Sequence, residues 1–131
     1  MTGLTFAMTT LVVPDYDEAI AWYTGTLGFA LHEDTDLGDG KRWVVVAPDA
    51  GAKLLLAKAK GERQAGAIGN QTGGRVGFFL HTEDFAATYE AYGEKGVAFT
   101  EQPRAEPYGK VVVFADPYGN LWDLIEKAPA A

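Results

Sequence analysis

The sequence is written twice. Residues 44–51, V-V-V-A-P-D-A-G, return as V-V-F-A-D-P-Y-G at 112–119, an offset of 68. L-G-F at 27–29 returns as K-G-V at 95–97 at the same offset, and Asp15 returns as Asp84 at an offset of 69. Internal similarity at a fixed spacing means two copies of one supersecondary unit, and that restricts the fold more than any single motif does. Each copy reads strand, helix, strand, strand, strand.

The local signals agree within each copy. F-A-M-T-T-L-V-V (6–13) predicts a strand that Pro14 ends. Asp15 and Glu18 have capping-box spacing, and Tyr16, Ala19, Ile20, Tyr23 and Leu27 recur at helical intervals. Gly25 and Gly28 mark the helix end. Strands are expected at 29–33, 42–47 and 53–57, with turns at 36–40 and 48–51. In the second copy, R-V-G-F-F-L-H-T (75–82) predicts a strand, and Asp84 caps a helix carrying Phe85, Thr88, Tyr89 and Tyr92. Strands at 97–101, 110–115 and 121–126 follow, the last after the turn Asp116-Pro117-Tyr118-Gly119-Asn120. The repeats therefore span 5–58 and 75–127. Residues 59–74, glycine-rich and polar, read as a flexible connector or a mobile cover.

A chain of 131 residues has the size of a single domain and is long enough to bury a core. With 47% hydrophobic and 22% charged residues it has a globular composition. The formal net charge of −7 argues against nucleic acid and against anionic membrane surfaces. There is no cysteine, which removes disulfides, thiol catalysis and thiolate metal sites. No apolar run approaches a membrane span, and M-T-G-L-T-F-A-M does not read as a secretory leader, so a cytoplasmic protein is expected.

The paired units, with D-Y-D-E-A-I-A-W-Y-T-G-T-L-G-F in the first and F-A-D-P-Y-G-N-L-W-D-L-I-E in the second, resemble the vicinal oxygen chelate superfamily. That family includes glyoxalase I, extradiol dioxygenases, fosfomycin-resistance enzymes, methylmalonyl-CoA epimerase and bleomycin-binding resistance proteins. The resemblance covers residues 5–127 as one domain spanning the chain. It implies an α+β fold, two βαβββ repeats forming a curved, cup-like mixed sheet with helices outside, and a homodimer. It also implies a divalent metal held by the first and last strands of each half. Carried over by the repeat offsets, those positions fall on Met8, Leu54, Val76 and Asp123. Only one of the four is a hard oxygen donor, whereas catalytic sites supply about three protein ligands. No metal or other cofactor is therefore expected.

Asp123 stands alone among Leu121, Trp122, Leu124 and Ile125, as a ligand-binding carboxylate, a base of raised pKa, or a structural acid. His32 is the second catalytic candidate, on an expected edge strand where it could titrate near neutral pH. Strand alternation from Val76 through Phe78 and Leu80 puts His81 on the opposite face, under the helix near Asp84. Trp43 serves as core or as a stacking wall, and its face is open. Arg104 and Tyr108 lie in the polar loop 101–110, where they could hold an anionic or hydroxylated ligand. The expected cup lining is Met8, Thr10, Trp43 and Leu54 from the first repeat, with Val76, Phe78, Tyr108 and Asp123 from the second.

These residues point to a metal-independent small-molecule-binding protein of the bleomycin-resistance type. The alternative is a glyoxalase-like lyase or isomerase, or a dioxygenase-like enzyme, using Asp123. A third reading is an interaction module whose cup is filled by its own side chains.

Overall fold

A computed structural model describes residues 2–129. It divides into two compact units, the first ending at Ala67 and the second beginning at Ile68.

The N-terminal unit runs β1 (Met8–Val13), α1 (Tyr16–Gly25), β2 (Ala30–Gly38), β3 (Lys41–Ala47), β4 (Lys53–Lys58) and α2 (Gly61–Ala65). Its four strands are ordered β1-β4-β3-β2, with β1 and β4 parallel. Helix α1 begins where expected: the Asp15 carboxylate accepts from the Glu18 backbone N–H at 2.8 Å. The helix covers the face carrying Leu11, Val13, Val44, Val46, Leu54 and Leu56, all buried. Arg42, on that face, ties the helix start to the β2–β3 hairpin. Its guanidinium donates to Asp34 at 2.7 Å and Asp17 at 2.9 Å, and its backbone N–H donates to the Tyr16 hydroxyl.

The C-terminal unit runs β5 (Phe78–His81), α3 (Phe85–Glu94), β6 (Ala98–Phe99), β7 (Arg104–Glu106), β8 (Gly109–Ala115) and β9 (Leu121–Lys127). The order is β5-β9-β8-β6, with β7 also on β8 and β5 parallel to β9. Asp84 caps α3 by accepting from the Ala87 N–H. A run of aromatic rings fills the face toward this helix. Phe78 stacks on Trp122 at 4.8 Å, Trp122 on Phe114 at 5.9 Å, and Phe114 meets the edge of Tyr92 at 6.0 Å.

Three expectations change. The segment 101–110 is not an open loop, because Arg104–Glu106 pairs with β8 as a strand. The expected strand 97–101 shortens to Ala98–Phe99: after the Thr100 N–H bonds the Val113 carbonyl, the Val113 N–H goes to the Glu101 side chain instead of a backbone carbonyl. Residues 59–74 are not a plain flexible connector. They form α2 and a series of turns, and Gly69 lies so close to Tyr118 that a Cβ there would collide with its carbonyl. Among the described residues no helix is long and apolar enough to cross a membrane.

The turn into β9 is built by one buried carboxylate. Asp116 Oδ1 accepts from the backbone N–H groups of Tyr118 and Asn120, and Oδ2 accepts from the Asn120 side-chain amide at 2.7 Å. Replacing Asp116 with Ala strands these donors in a buried setting. It should lower stability by roughly 2–4 kcal/mol, read from the denaturant midpoint. A loss under about 0.5 kcal/mol would show that the turn forms without them.

Candidate functional site

Side chains alternate along a strand, so the pairing register decides which of them share a face. In the C-terminal unit Asp123 pairs with Phe79 on one side and Val113 on the other. These three therefore sit on the face away from α3, together with His81, Val111 and Ile125. The opposite face holds Phe78, Leu80, Val112, Phe114, Trp122 and Leu124, and is the one packed against the helix.

This corrects the expected lining in the second repeat. Phe78 is part of the unit's own aromatic core, and Phe79 takes the place beside Asp123. His81 is exposed and shares the Asp123 face, beside Ile125, instead of lying under the helix. Val76 precedes β5, and it is Gly77 whose N–H bonds to the carbonyl of Leu121 at the head of β9.

The N-terminal unit shows the same shift. Thr10, Val45 and Leu55 are register partners on the helix-free face, along with Met8 and Trp43. Leu54 pairs with Thr9 and Val46 on the helix side and is buried there. The counterpart of Asp123 in the first repeat is thus Leu55, not Leu54. Trp43 is settled on the helix-free face, where its indole N–H donates to Glu33 at 3.2 Å. His32 sits in a β-bulge between Leu31 and Glu33 and is exposed.

Asp123 is only 8% exposed. Its Oδ1 is enclosed and has no hydrogen-bond partner among the described residues. Burial pushes its carboxyl above the usual carboxylate range; the positive field of Arg104 opposes this, and the negative charge of Glu101 adds to it. Glu101 is a residue that sequence reasoning missed. Its Oε2 accepts from the Val113 backbone N–H at 3.2 Å, which brings its charge to the strand next to Asp123. Arg104 does not bond Asp123. Its Nε donates to Glu101 at 2.9 Å and its Nη1 to Glu106 at 2.6 Å. Tyr108, half exposed, bonds the same guanidinium. Arg104 and Tyr108, expected to hold an anionic or hydroxylated ligand, thus belong to an ion-paired cluster beside Asp123.

Sequence comparison places this geometry. Residues 5–124 match the Glyoxalase/Bleomycin resistance protein/Dioxygenase superfamily. The chain belongs to that superfamily. A protein of Shewanella frigidimarina, itself uncharacterized, is 50% identical over 119 residues, 88% of either chain. Among solved structures, UcmS2 is 31% identical with a TM-score of 0.81, covering 96% of this chain and all 100% of its own. TnmS3, described as an antibiotic binding protein from Streptomyces sp. CB03234, is 28% identical with a TM-score of 0.76, covering 98% of this chain and 100% of its own.

The metal that the superfamily scaffold implies does not fit the donors present. With the register corrected, the N-terminal unit offers the Met8 thioether and the aliphatic Leu55, and the C-terminal unit offers Gly77 and one carboxylate, Asp123. A hard divalent ion needs several oxygen or imidazole donors, and a lone carboxylate does not supply them. Among the described residues no group of three His, Asp or Glu side chains forms such a set.

An unpartnered carboxylate with a raised pKa destabilises the fold once it ionises. The native state holds its proton more tightly than the unfolded chain, so stability falls as pH rises from the unfolded value toward the folded one. Asp123→Asn should therefore be more stable than the parent at neutral pH. The difference should shrink as pH drops through the raised pKa and vanish below the ordinary value of 3.8. Thermal melts across this range check it. A variant less stable at neutral pH would mean that the carboxylate is satisfied.

Proposed function

We propose that this chain is a metal-independent small-molecule-binding protein whose ligand is aromatic or amphipathic. One observation carries the reading: a buried carboxylate with an open hydrogen-bond valence, Asp123, on a sheet face that is apolar around it, beside Phe79, Val113 and Ile125. Such a face, mostly apolar with a few placed polar groups, suits capture of a ligand that is greasy over most of its area. On the N-terminal unit's helix-free face, the Trp43 ring fixed by Glu33 is a wall of the kind that stacks on planar ligands. Likeness to TnmS3, an antibiotic binding protein, supports the same class of partner.

A second reading takes Asp123 as a general base, since burial raises its proton affinity toward the range that proton abstraction needs. Binding and turnover are separated by following both ligand and product in one experiment. After dialysis against a chelator, titration with planar aromatic antibiotics should give saturable quenching of tryptophan fluorescence, with the compound recovered unchanged. Binding that appears only after a divalent metal is restored would overturn metal independence. Conversion of the compound would establish the second reading instead.

A further inference from the structure

We infer that the Asp123 face of the C-terminal unit takes the cationic nitrogen, an ammonium or guanidinium group, of an aromatic ligand. This rests on the binding function proposed above and names the chemistry that the site selects. Three independent features converge on it.

The first is the open valence. Oδ1 of Asp123 is enclosed and lacks a partner among the described residues, and the residue is 8% exposed. A buried carboxylate oxygen left unpaired costs free energy that a bound donor recovers.

The second is the charge around it. Glu101 reaches the Val113 N–H next to Asp123, Glu106 lies beyond it on β7, and Arg104 is the guanidinium between them. Arg104 is shared by Glu101 at 2.9 Å and Glu106 at 2.6 Å. An anionic ligand would have to displace a glutamate to reach it. Three carboxylates to one guanidinium leave the neighbourhood negative, which favours a cation over a neutral donor of the same shape. The other groups facing this side are Tyr108, already bonded to Arg104, His81, set beside Ile125, and the exposed Lys127 at the far end of β9, four residues from Asp123. Lys110 is on the opposite face of β8, paired with Glu126 at 3.7 Å, and adds no compensating charge here.

The third is an aromatic ring in direct register with the acid. Phe79 pairs with Asp123 across β5–β9 and is 62% exposed. A ring face next to a carboxylate suits a ligand that joins a planar aromatic body to a positive nitrogen, since the ring stacks on the body and attracts the charge.

The test uses three anthracene compounds that differ only in one substituent: aminomethyl, hydroxymethyl or carboxylate. Affinities for the intact chain are read near neutral pH by fluorescence. The aminomethyl compound should bind about tenfold or more tighter than the hydroxymethyl compound, and the carboxylate weakest. In Asp123→Asn the preference for the amine should disappear while hydroxymethyl binding persists, which also shows that the variant is folded. Binding of the amine should weaken as pH falls through the Asp123 midpoint. Equal affinity for amine and alcohol, or a preference that survives in Asp123→Asn, overturns the cation assignment and leaves the binding function standing. No binding by any of the three contradicts both.

Discussion

Strand β9 is paired on both edges, parallel to β5 and antiparallel to β8, and that double pairing fixes where each of its side chains points. Trp122 and Leu124 go to the helix side and join the aromatic core. Asp123, between them, can only go to the other side. A slip of one residue would put the carboxylate among Phe78, Phe114 and Tyr92 and take the tryptophan out of that aromatic core, so the apolar core and the placement of the acid are enforced together. The Asp116 carboxylate helps hold that register. It braces the turn into β9 through two backbone N–H groups and the Asn120 amide.

The repeat made the fold legible. Helix caps at Asp15 and Asp84 and the turn Asp116–Asn120 appear where the residue pattern puts them, while β2 runs on to Gly38 through the expected turn and β5 and β6 are shorter than expected. The faces were harder, for a specific reason. The first copy has one residue more between its helix cap and the end of its helix than the second has, so 69 applies before that point and 68 after it. Exchanging the two numbers moves Gly77 to Val76 and Leu55 to Leu54, and in a strand one residue is a whole face. The same slip turned His81 inward and put Phe78 in place of Phe79. Strand pairing resolves this because Phe79↔Asp123 repeats Thr10↔Leu55, and Val113↔Asp123 repeats Val45↔Leu55. Glu101 had no signal in the chain beyond its place in a polar stretch. Its importance comes from bonding Val113 where β6 has ended and β7 has not begun, a long-range contact that local patterns do not encode. The repeat does offer a hint, since Glu33 stands at the equivalent position and also turns its carboxylate to a neighbour on the helix-free face, Trp43.

Membership in the superfamily explains the architecture, and the substitutions explain why the chemistry need not follow it. The first and last strands that would hold a metal carry Met8, Leu55, Gly77 and Asp123. Of these four positions Asp123 alone carries a hard donor. That acid is costly to keep without a partner, and the neighbouring Glu101 and Glu106 hold the Arg104 guanidinium elsewhere.

We propose that Asp123 is an unsatisfied carboxylate held for a ligand, and its own titration tests this most directly. Site-resolved carbon NMR of the Asp123 carboxyl in the ligand-free protein should give a midpoint clearly above the ordinary aspartate value of 3.8. A midpoint at or below that value would show a carboxylate already bonded within the fold, and would contradict the account.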